Sequence, residues 1–317
     1  MNRLALLGVL ALGVAAPAAA QFPDRSVTML AGYPPGGMVD IVARTLTESM
    51  KKRFPKGLVV VNRPGAAGTV AVSEVVRATP DGYTFVLTPS SALVIAPQLN
   101  PVAYKTPDDY EPFINLVSYY PMLVVRQEAQ WKTAQELVTD AKANAGKLRV
   151  GSPGEGTSSH LNLEELMIRA GIKVIHVPYQ GWGQSSPALL GGHIDALVAQ
   201  PGEVKPQVDG KRMRALMVFQ EKRHPLFPDV PTAKELGWDI QNGVLYLLVA
   251  PKGTPAPVLK HLHDAAQEGL KEQFFIDAMA TRGIDIDYRS GDRIRADLWK
   301  EFKLNGEILR SIGMIKQ

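Results

Sequence analysis

The sequence contains no cysteine. That excludes a disulfide, a cysteine nucleophile and lipid attachment at an N-terminal cysteine. A chain of this size needs no disulfide, because it can bury a sufficient core. A strong charge excess is also missing: 35 Lys and Arg stand against 31 Asp and Glu, a net +4. There is no long basic run and no interleaving of basic with aromatic residues, so a nucleic-acid partner is not expected. Beyond the first twenty residues no apolar run approaches the roughly 20 residues of a membrane-spanning helix. The common catalytic patterns are absent as well: no G-x-S-x-G elbow, no H-E-x-x-H and no G-x-x-x-x-G-K-[ST] loop. Nothing calls for a metal or a cofactor.

What is present begins with an export leader. Met1-Asn2-Arg3 is a short basic segment, Leu4 to Ala16 is apolar but short, and Pro17-Ala18-Ala19-Ala20 offers small residues for cleavage. The expected signal peptide is 1–20, cut after Ala20, with the mature chain starting at Gln21 in the periplasm. Losing Arg3 leaves 34 basic against 31 acidic residues, a net +3.

The stretch from Ser26 to Phe54 organises the rest. Val27-Thr28-Met29-Leu30-Ala31 reads as a buried strand. It feeds Gly32-Tyr33-Pro34-Pro35-Gly36-Gly37, and Asp40 opens an amphipathic helix. A strand, a Gly/Pro loop and a helix N-terminus leave backbone N–H groups facing outward at a positive dipole end, which suits an anion. The device recurs. Leu148-Arg149-Val150 leads through Gly151-Ser152-Pro153-Gly154-Glu155-Gly156-Thr157-Ser158-Ser159-His160 into a helix. Val174 to Val177 leads into Pro178-Tyr179-Gln180-Gly181-Trp182-Gly183 and a short helix from Ser185. Thr84 to Thr88 runs into Pro89-Ser90-Ser91, and a further strand spans Ile194 to Ala199.

Apolar runs alternating with helical patterns predict an α/β fold with parallel sheets. Thr133-Ala134-Gln135-Glu136 and Thr232-Ala233-Lys234-Glu235 are capping-box patterns. Ile294, Leu298, Phe302, Leu309 and Ile312 give a terminal helix its buried face. The proline-rich segment 97–112 marks a crossing between domains, and the run from Arg214 to Phe219 is read as the return. The expected organisation is domain 1 at 21–112 plus 220–317 and domain 2 at 113–219. Two crossings make a hinge, and the cleft between hinged α/β domains is where small ligands bind.

The hydroxyls of Ser90, Ser91, Ser152, Thr157, Ser158 and Ser159, with the backbone beside Gly36-Gly37, can hold a carboxylate without any arginine. A competing reading is a secreted hydrolase using Ser152 or Ser158 with His160, for which no orienting third group is evident. Another is a ligand sensor that signals to a kinase.

The sequence resembles the Bug-type solute receptors of tripartite tricarboxylate transporters across nearly the whole mature chain. The resemblance rests on Tyr33-Pro34-Pro35-Gly36-Gly37 with Asp40-Ile41-Val42-Ala43-Arg44, on Asn62-Arg63-Pro64-Gly65-Ala66-Ala67-Gly68, and on Pro80-Asp81-Gly82-Tyr83-Thr84. It extends through His176-Val177-Pro178-Tyr179-Gln180-Gly181, Leu190-Gly191-Gly192-His193-Ile194-Asp195, Pro228-Asp229-Val230-Pro231-Thr232 and Ala250-Pro251-Lys252-Gly253-Thr254-Pro255. It implies a type II periplasmic binding protein fold and a non-enzymatic, monomeric receptor. Such a receptor captures a small carboxylate and passes it to the membrane permease subunits of a tripartite transporter. It also implies that Tyr33 to Asp40 and Gly151 to His160 grip one carboxylate from opposite domains, flanked by Ser90, Ser91, Tyr179, Gln180 and Gly181, with Asp195 near the cleft. Met38 and Val39 stand where many members carry small polar residues, and Trp182 where smaller residues are common. Leu245, with Tyr246 beside it, replaces a frequent aromatic. These departures imply a ligand with an apolar or aromatic body.

Overall fold

The computed structural model describes residues 22–311 and 313–315. The expected leader with its cleavage point, and Ile312, lie outside the described residues. The chain runs β1 (Val27–Ala31), α1 (Met38–Met50), β2 (Leu58–Asn62), α2 (Thr69–Val76), β3 (Thr84–Pro89), α3 (Ser90–Val94), α4 (Ala96–Leu99) and β4 (Tyr110–Tyr119). It continues with β5 (Met122–Arg126), α5 (Ala134–Ala143), β6 (Arg149–Ser152), α6 (Ser158–Ala170), β7 (Ile175–Pro178), α7 (Trp182–Leu190), β8 (Ala196–Ala199), α8 (Pro201–Asp209) and β9 (Met213–Val218). It closes with β10 (Val244–Pro251), α9 (Ala256–Gly269), α10 (Gln273–Ala280), β11 (Asp285–Ser290) and α11 (Gly291–Ser311).

The strands form two sheets. One has six strands in the order β11-β4-β10-β3-β1-β2, the other five in the order β7-β6-β8-β5-β9. In each, parallel βα units sit beside antiparallel strands that enter from elsewhere in the chain. Strand alternation covers both faces of the larger sheet. Val27, Met29 and Ala31 pack with Val42 and Leu46 of α1, whereas Leu30 joins Val72, Val75, Leu298 and Leu309 on the other face. The smaller sheet is sandwiched likewise, Val125 and Val198 facing Leu137 and Leu166, and Val124 and Leu197 facing Leu189 and Val204.

The crossings differ from the expected 112 and 220. Pro112 lies inside β4, which pairs with β10 as far as Val244↔Tyr119, so the chain leaves the larger sheet at Tyr120-Pro121. The strand accommodates its proline at a bulge: Leu248 pairs with Ile114 and Val249 with Pro112, leaving Phe113 as the extra residue. Strand β9 does not return either; it pairs with β5 in the smaller sheet. Phe219, Ala233 and Ile240 stay in that sheet's core, and the return comes only before Val244. The two crossings touch, since a Cβ on Gly243 would stand 2.8 Å from the Tyr120 ring.

Local signals mostly held. Thr133 caps α5, accepting from the Glu136 N–H at 3.2 Å. Thr232 and Glu235 form their reciprocal pair at 2.8 and 3.0 Å, but on a turn rather than a helix. Helix α1 starts at Met38, two residues before Asp40, and α7 at Trp182, before Ser185. Helix α8 is not among the expected elements; Pro201 at its first position and Glu203 in its first turn are its helix-start signal.

Candidate functional site

Between the two sheets lies a cleft whose empty space, open solvent at its mouth included, is about 520 Å³. Five helices begin at its wall. Gly37, Met38 and Val39 come from the start of α1, Pro89 and Ser91 from α3, and Thr157, Ser158 and Ser159 from α6. Gly181, Trp182 and Gly183 come from α7, and Gln200 and Glu203 from α8. Tyr33, Pro34, Pro35, Pro153, Gln180, Tyr119 and Tyr246 complete the lining, which contains no Lys, Arg or His. The first turn of a helix leaves N–H groups without intrahelical partners at the positive end of its dipole. Converging helix starts thus turn the positive ends of their dipoles toward the cavity.

At α6, Thr157 caps the helix by accepting from the His160 N–H at 3.3 Å, leaving the Ser158 and Ser159 end facing the cavity. At α1, the Met38 N–H donates to Glu203 Oε1 of the opposite wall at 3.1 Å. Burial, opposed by backbone hydrogen bonds from Met38 and Gln200, pushes the Glu203 carboxyl up to about 7. Gln200 donates through Nε2 to the Tyr246 hydroxyl at 2.7 Å, while its Oε1 is buried without a partner. Burial, reinforced by the Glu203 carboxylate, also drives the Tyr33 hydroxyl far above its usual range, so it stays protonated.

Of the residues singled out from sequence, Tyr33, Pro34, Pro35, Gly37, Met38, Val39, Ser91, Thr157, Ser158, Ser159, Gln180, Gly181, Trp182 and Tyr246 meet at this cavity. At Gly181 a φ of +90° favours glycine, and the Tyr33 ring packs against it. The rest lie elsewhere. Asp40 is buried behind the loop, where its carboxylate accepts from the Gly36 N–H at 3.0 Å, Arg44 Nε at 2.9 Å and Asn62 Nδ2 at 2.9 Å. Burial opposes its ionisation, but the hydrogen bonds from Arg44, Gly36 and Asn62 outweigh it and hold the carboxyl below its ordinary range. Asn62 also donates to the Tyr33 carbonyl at 3.0 Å. Asp40 and Asn62 therefore shape the loop from beneath. Gly36 turns away from the cavity to a groove beside Ile41 and Arg282.

Ser90 faces a separate cavity behind the crossings with Arg289, Glu301 and Asn305, and accepts from the Leu245 N–H at 3.3 Å. Successive residues of a helix project about 100° apart, and here that turns Ser91 to the cleft and Ser90 to the rear cavity. Leu245 lines that same rear cavity, and strand alternation turns Tyr246 to the cleft. Gly151 packs against Ile194, whose Cδ1 would have to shift to admit a Cβ, 2.5 Å away. Ser152 is buried, its hydroxyl donating to the Gly154 carbonyl at 3.0 Å and lying 2.8 Å from His176 Nε2. Tyr179 faces a side recess with Ala66 and Gly68.

Gly156 donates its N–H to His160 Nδ1 at 3.2 Å, and His160 Nε2 lies 3.3 Å from Glu164. The His160 ring is thus committed away from Ser158, whose hydroxyl reaches the Gly243 carbonyl at 3.5 Å, and Ser152 pairs with His176 instead, so neither serine couples to His160. Asp195 is not at the cleft. It precedes β8 and accepts from the Arg149 N–H at 2.7 Å and its guanidinium at 3.2 Å, at the strand end opposite the helix starts. Pro89, Pro153 and Gly183 of the strand-to-helix loops also line the cavity, as do Tyr119, Gln200 and Glu203, which no sequence motif marks. Tyr119 lies beyond Pro112 on β4, and Gln200 and Glu203 lie at the start of α8, where the apolar pattern is weak.

The family model for "tripartite tricarboxylate transporter family receptor" matches residues 42–314. The chain belongs to this family. The receptor is 36% identical over 312 residues to the UPF0065 protein in the gbd 5′ region of Cupriavidus necator, covering 96% of this chain and 94% of that one. It is 29% identical to protein BugT of Bordetella pertussis, covering 99% of both chains. Among solved structures, the periplasmic binding protein BugD superposes with a TM-score of 0.88 at 30% identity, covering 93% of this chain and all of the other. MatC from Rhodopseudomonas palustris, solved with bound malate, superposes with a TM-score of 0.86 at 27% identity, covering 91% of this chain and 100% of that one. The fold is that of periplasmic solute-binding proteins, and the family is one of receptors, not enzymes. Among the described residues of the receptor, no helix is long and apolar enough to cross a membrane.

Proposed function

We propose that the receptor captures a small carboxylate in the cleft between its two sheets and delivers it to the permease of a tripartite tricarboxylate-type transporter in the cytoplasmic membrane. The observation that carries this reading is the convergence of five helix starts on a cavity without a basic side chain. The carboxylate sits at the Ser91 and Ser158-Ser159 side, accepting from hydroxyls and backbone N–H groups, with water bridging where direct reach fails. The ligand's body lies against Trp182, Met38, Pro34 and Pro35, an apolar wall that favours a partly apolar or aromatic solute. Malate bound to MatC supports a small carboxylate as the ligand class.

A thermal-shift screen of mono-, di- and tricarboxylates, aliphatic and aromatic, tests the proposal. A ligand present at 100 times its Kd adds about 2.7 kcal/mol of stability. Silence across the whole panel overturns the carboxylate reading, and a preference for citrate over every aromatic acid overturns the apolar body.

A further inference from the structure

The rear cavity, behind the two crossings, is walled by three separate parts of the chain. Tyr119 and Tyr120 come from the first crossing and Gln241 to Val244 from the second, while α11 closes the far side with Glu301, Leu304 and Asn305. The space between them, open solvent at its mouth included, is about 740 Å³. We propose that this cavity is a second binding site, for a small organic ammonium ion, in which Glu301 meets the charge and Asn305 supplies a further hydrogen bond. The site is separate from the cleft, and the proposal stands whichever solute the cleft takes.

Three observations converge on it. First, Glu301 has no cationic partner. Arg289 is the basic side chain of the lining, and its guanidinium is spent on Asp287 at 2.6 Å and Asp297 at 2.8 Å. Arg293 also approaches Asp297, at 3.6 Å, so two arginines balance two aspartates and the Glu301 charge is left over. Ser90 accepts from the Leu245 N–H, which leaves its hydroxyl proton for one Glu301 oxygen and the remaining acceptor capacity of that carboxylate for a ligand. Second, Asn305 is only 6% exposed, yet its side-chain amide has no hydrogen-bond partner among the described residues. Buried amides are ordinarily paired. Asn305 lies one turn after Glu301 on the same face of α11, so both groups serve one cavity. Third, the remaining walls suit a carbon-bearing cation. The Tyr120 ring is an aromatic surface of the kind that attracts cations, and Ile95, Val244 and Leu245 offer apolar contact to an alkyl body. An anion would meet the Glu301 carboxylate, and a bare inorganic cation would leave the apolar walls unused.

The charged groups acting on Glu301 are Arg289 of β11 and Asp297 of α11; Tyr110 of β4 and Tyr120 face it as phenols held protonated by burial. Desolvation, opposed by Ser90 and Arg289, raises the carboxyl to about 7. It is therefore mostly ionised at pH 8 and mostly protonated at pH 6. An ammonium ion entering the cavity requires the ionised form, so its binding expels a proton at pH 6 and almost none at pH 8.

The test is isothermal titration of the receptor with n-butylammonium chloride at pH 8, against butan-1-ol and against potassium chloride at equal ionic strength. Saturable binding of one n-butylammonium per chain is expected, at least tenfold tighter than either control. Glu301→Gln should weaken it at least tenfold, whereas Glu203→Gln and Ser91→Ala, both in the cleft, should leave it within about twofold. A urea midpoint checks that Glu301→Gln is folded. Leu304→Lys, at a rim position that is 47% exposed, tests the site without touching the carboxylate. Its tethered ammonium should compete and weaken binding at least tenfold. Buffers of different ionisation enthalpy should report release of close to one proton per ion bound at pH 6. No saturable binding, equal binding of butan-1-ol or potassium, or a loss that follows Glu203→Gln instead of Glu301→Gln each overturns the proposal.

Discussion

Asn162 and Asn242 hydrogen-bond each other in both directions: Asn162 Nδ2 donates to the Asn242 carbonyl at 2.9 Å, and the Asn242 N–H donates to Asn162 Oδ1 at 3.3 Å. One side chain on α6 thereby acts as a strand partner for the backbone that returns to the larger sheet. Asn162 is fully buried and also donates to the Ser158 carbonyl at 2.9 Å, so the same amide ties the second crossing to the helix start at the cleft. Asn162→Ala leaves buried backbone groups unpaired. The expected loss is about 1–3 kcal/mol, read as a lower urea midpoint at unchanged m-value.

Ser90 and Ser91 make a contrasting pair. Ser91→Ala removes a cavity hydroxyl and is expected to weaken carboxylate binding by roughly tenfold or more, as for one charge-assisted hydrogen bond of about 1.5–3 kcal/mol. Ser90→Ala should leave affinity within about twofold and lower stability, because the Leu245 N–H and the buried Glu301 carboxyl lose their partner. Titration of both variants against whichever carboxylate stabilises the wild type checks this. Equal losses of affinity would contradict the assignment of the two hydroxyls to separate cavities.

Asp40 has a depressed carboxyl, so its contribution is present above the unfolded value near 3.9 and is lost as pH falls through the lower folded value. Asp40→Ala frees the Gly36 N–H and Asn62 and is expected to cost on the order of 2 kcal/mol at pH 7. The gap to wild type should close as the pH falls through the folded value. Urea melts of both proteins at pH 7 and in that acid range measure it; a gap that persists there would mean that the loss is packing, not charge.

His176 behaves in the opposite chemical sense. Burial, aided by the His160 ring stacked on it at 3.9 Å, lowers it to about 3. The unfolded chain therefore takes up a proton near pH 6.5 that the folded chain refuses, and stability falls as pH drops below 6.5. Between pH 6.5 and 5 the loss attributable to this group is at most about 2 kcal/mol, less for solvent screening of a partly exposed ring. His176→Gln should flatten that part of the stability profile, and an unchanged slope would remove His176 as the cause.

Sequence by itself determined the family, the α/β class and the recurrence of strand-to-helix turns. Those are local facts: an apolar strand followed by Gly-Gly and a helical period exposes the same N–H groups wherever the unit is placed. It misplaced the crossings, because Pro112 looks like a breaker in one dimension and only the β10 partner shows the bulge that accommodates it. It also grouped residues by neighbourhood in the chain, and so kept Ser90, Ser152, His160 and Asp195 with the cleft. Their directions are set by helix and strand periodicity against a packed sheet, and that sends them to the rear cavity, the loop interior and the far strand end. The facing of Met38 and Glu203, 165 positions apart, belongs to the tertiary structure alone. No spacing rule encodes it, because it exists only when two sheets built from separate stretches of chain close on one another.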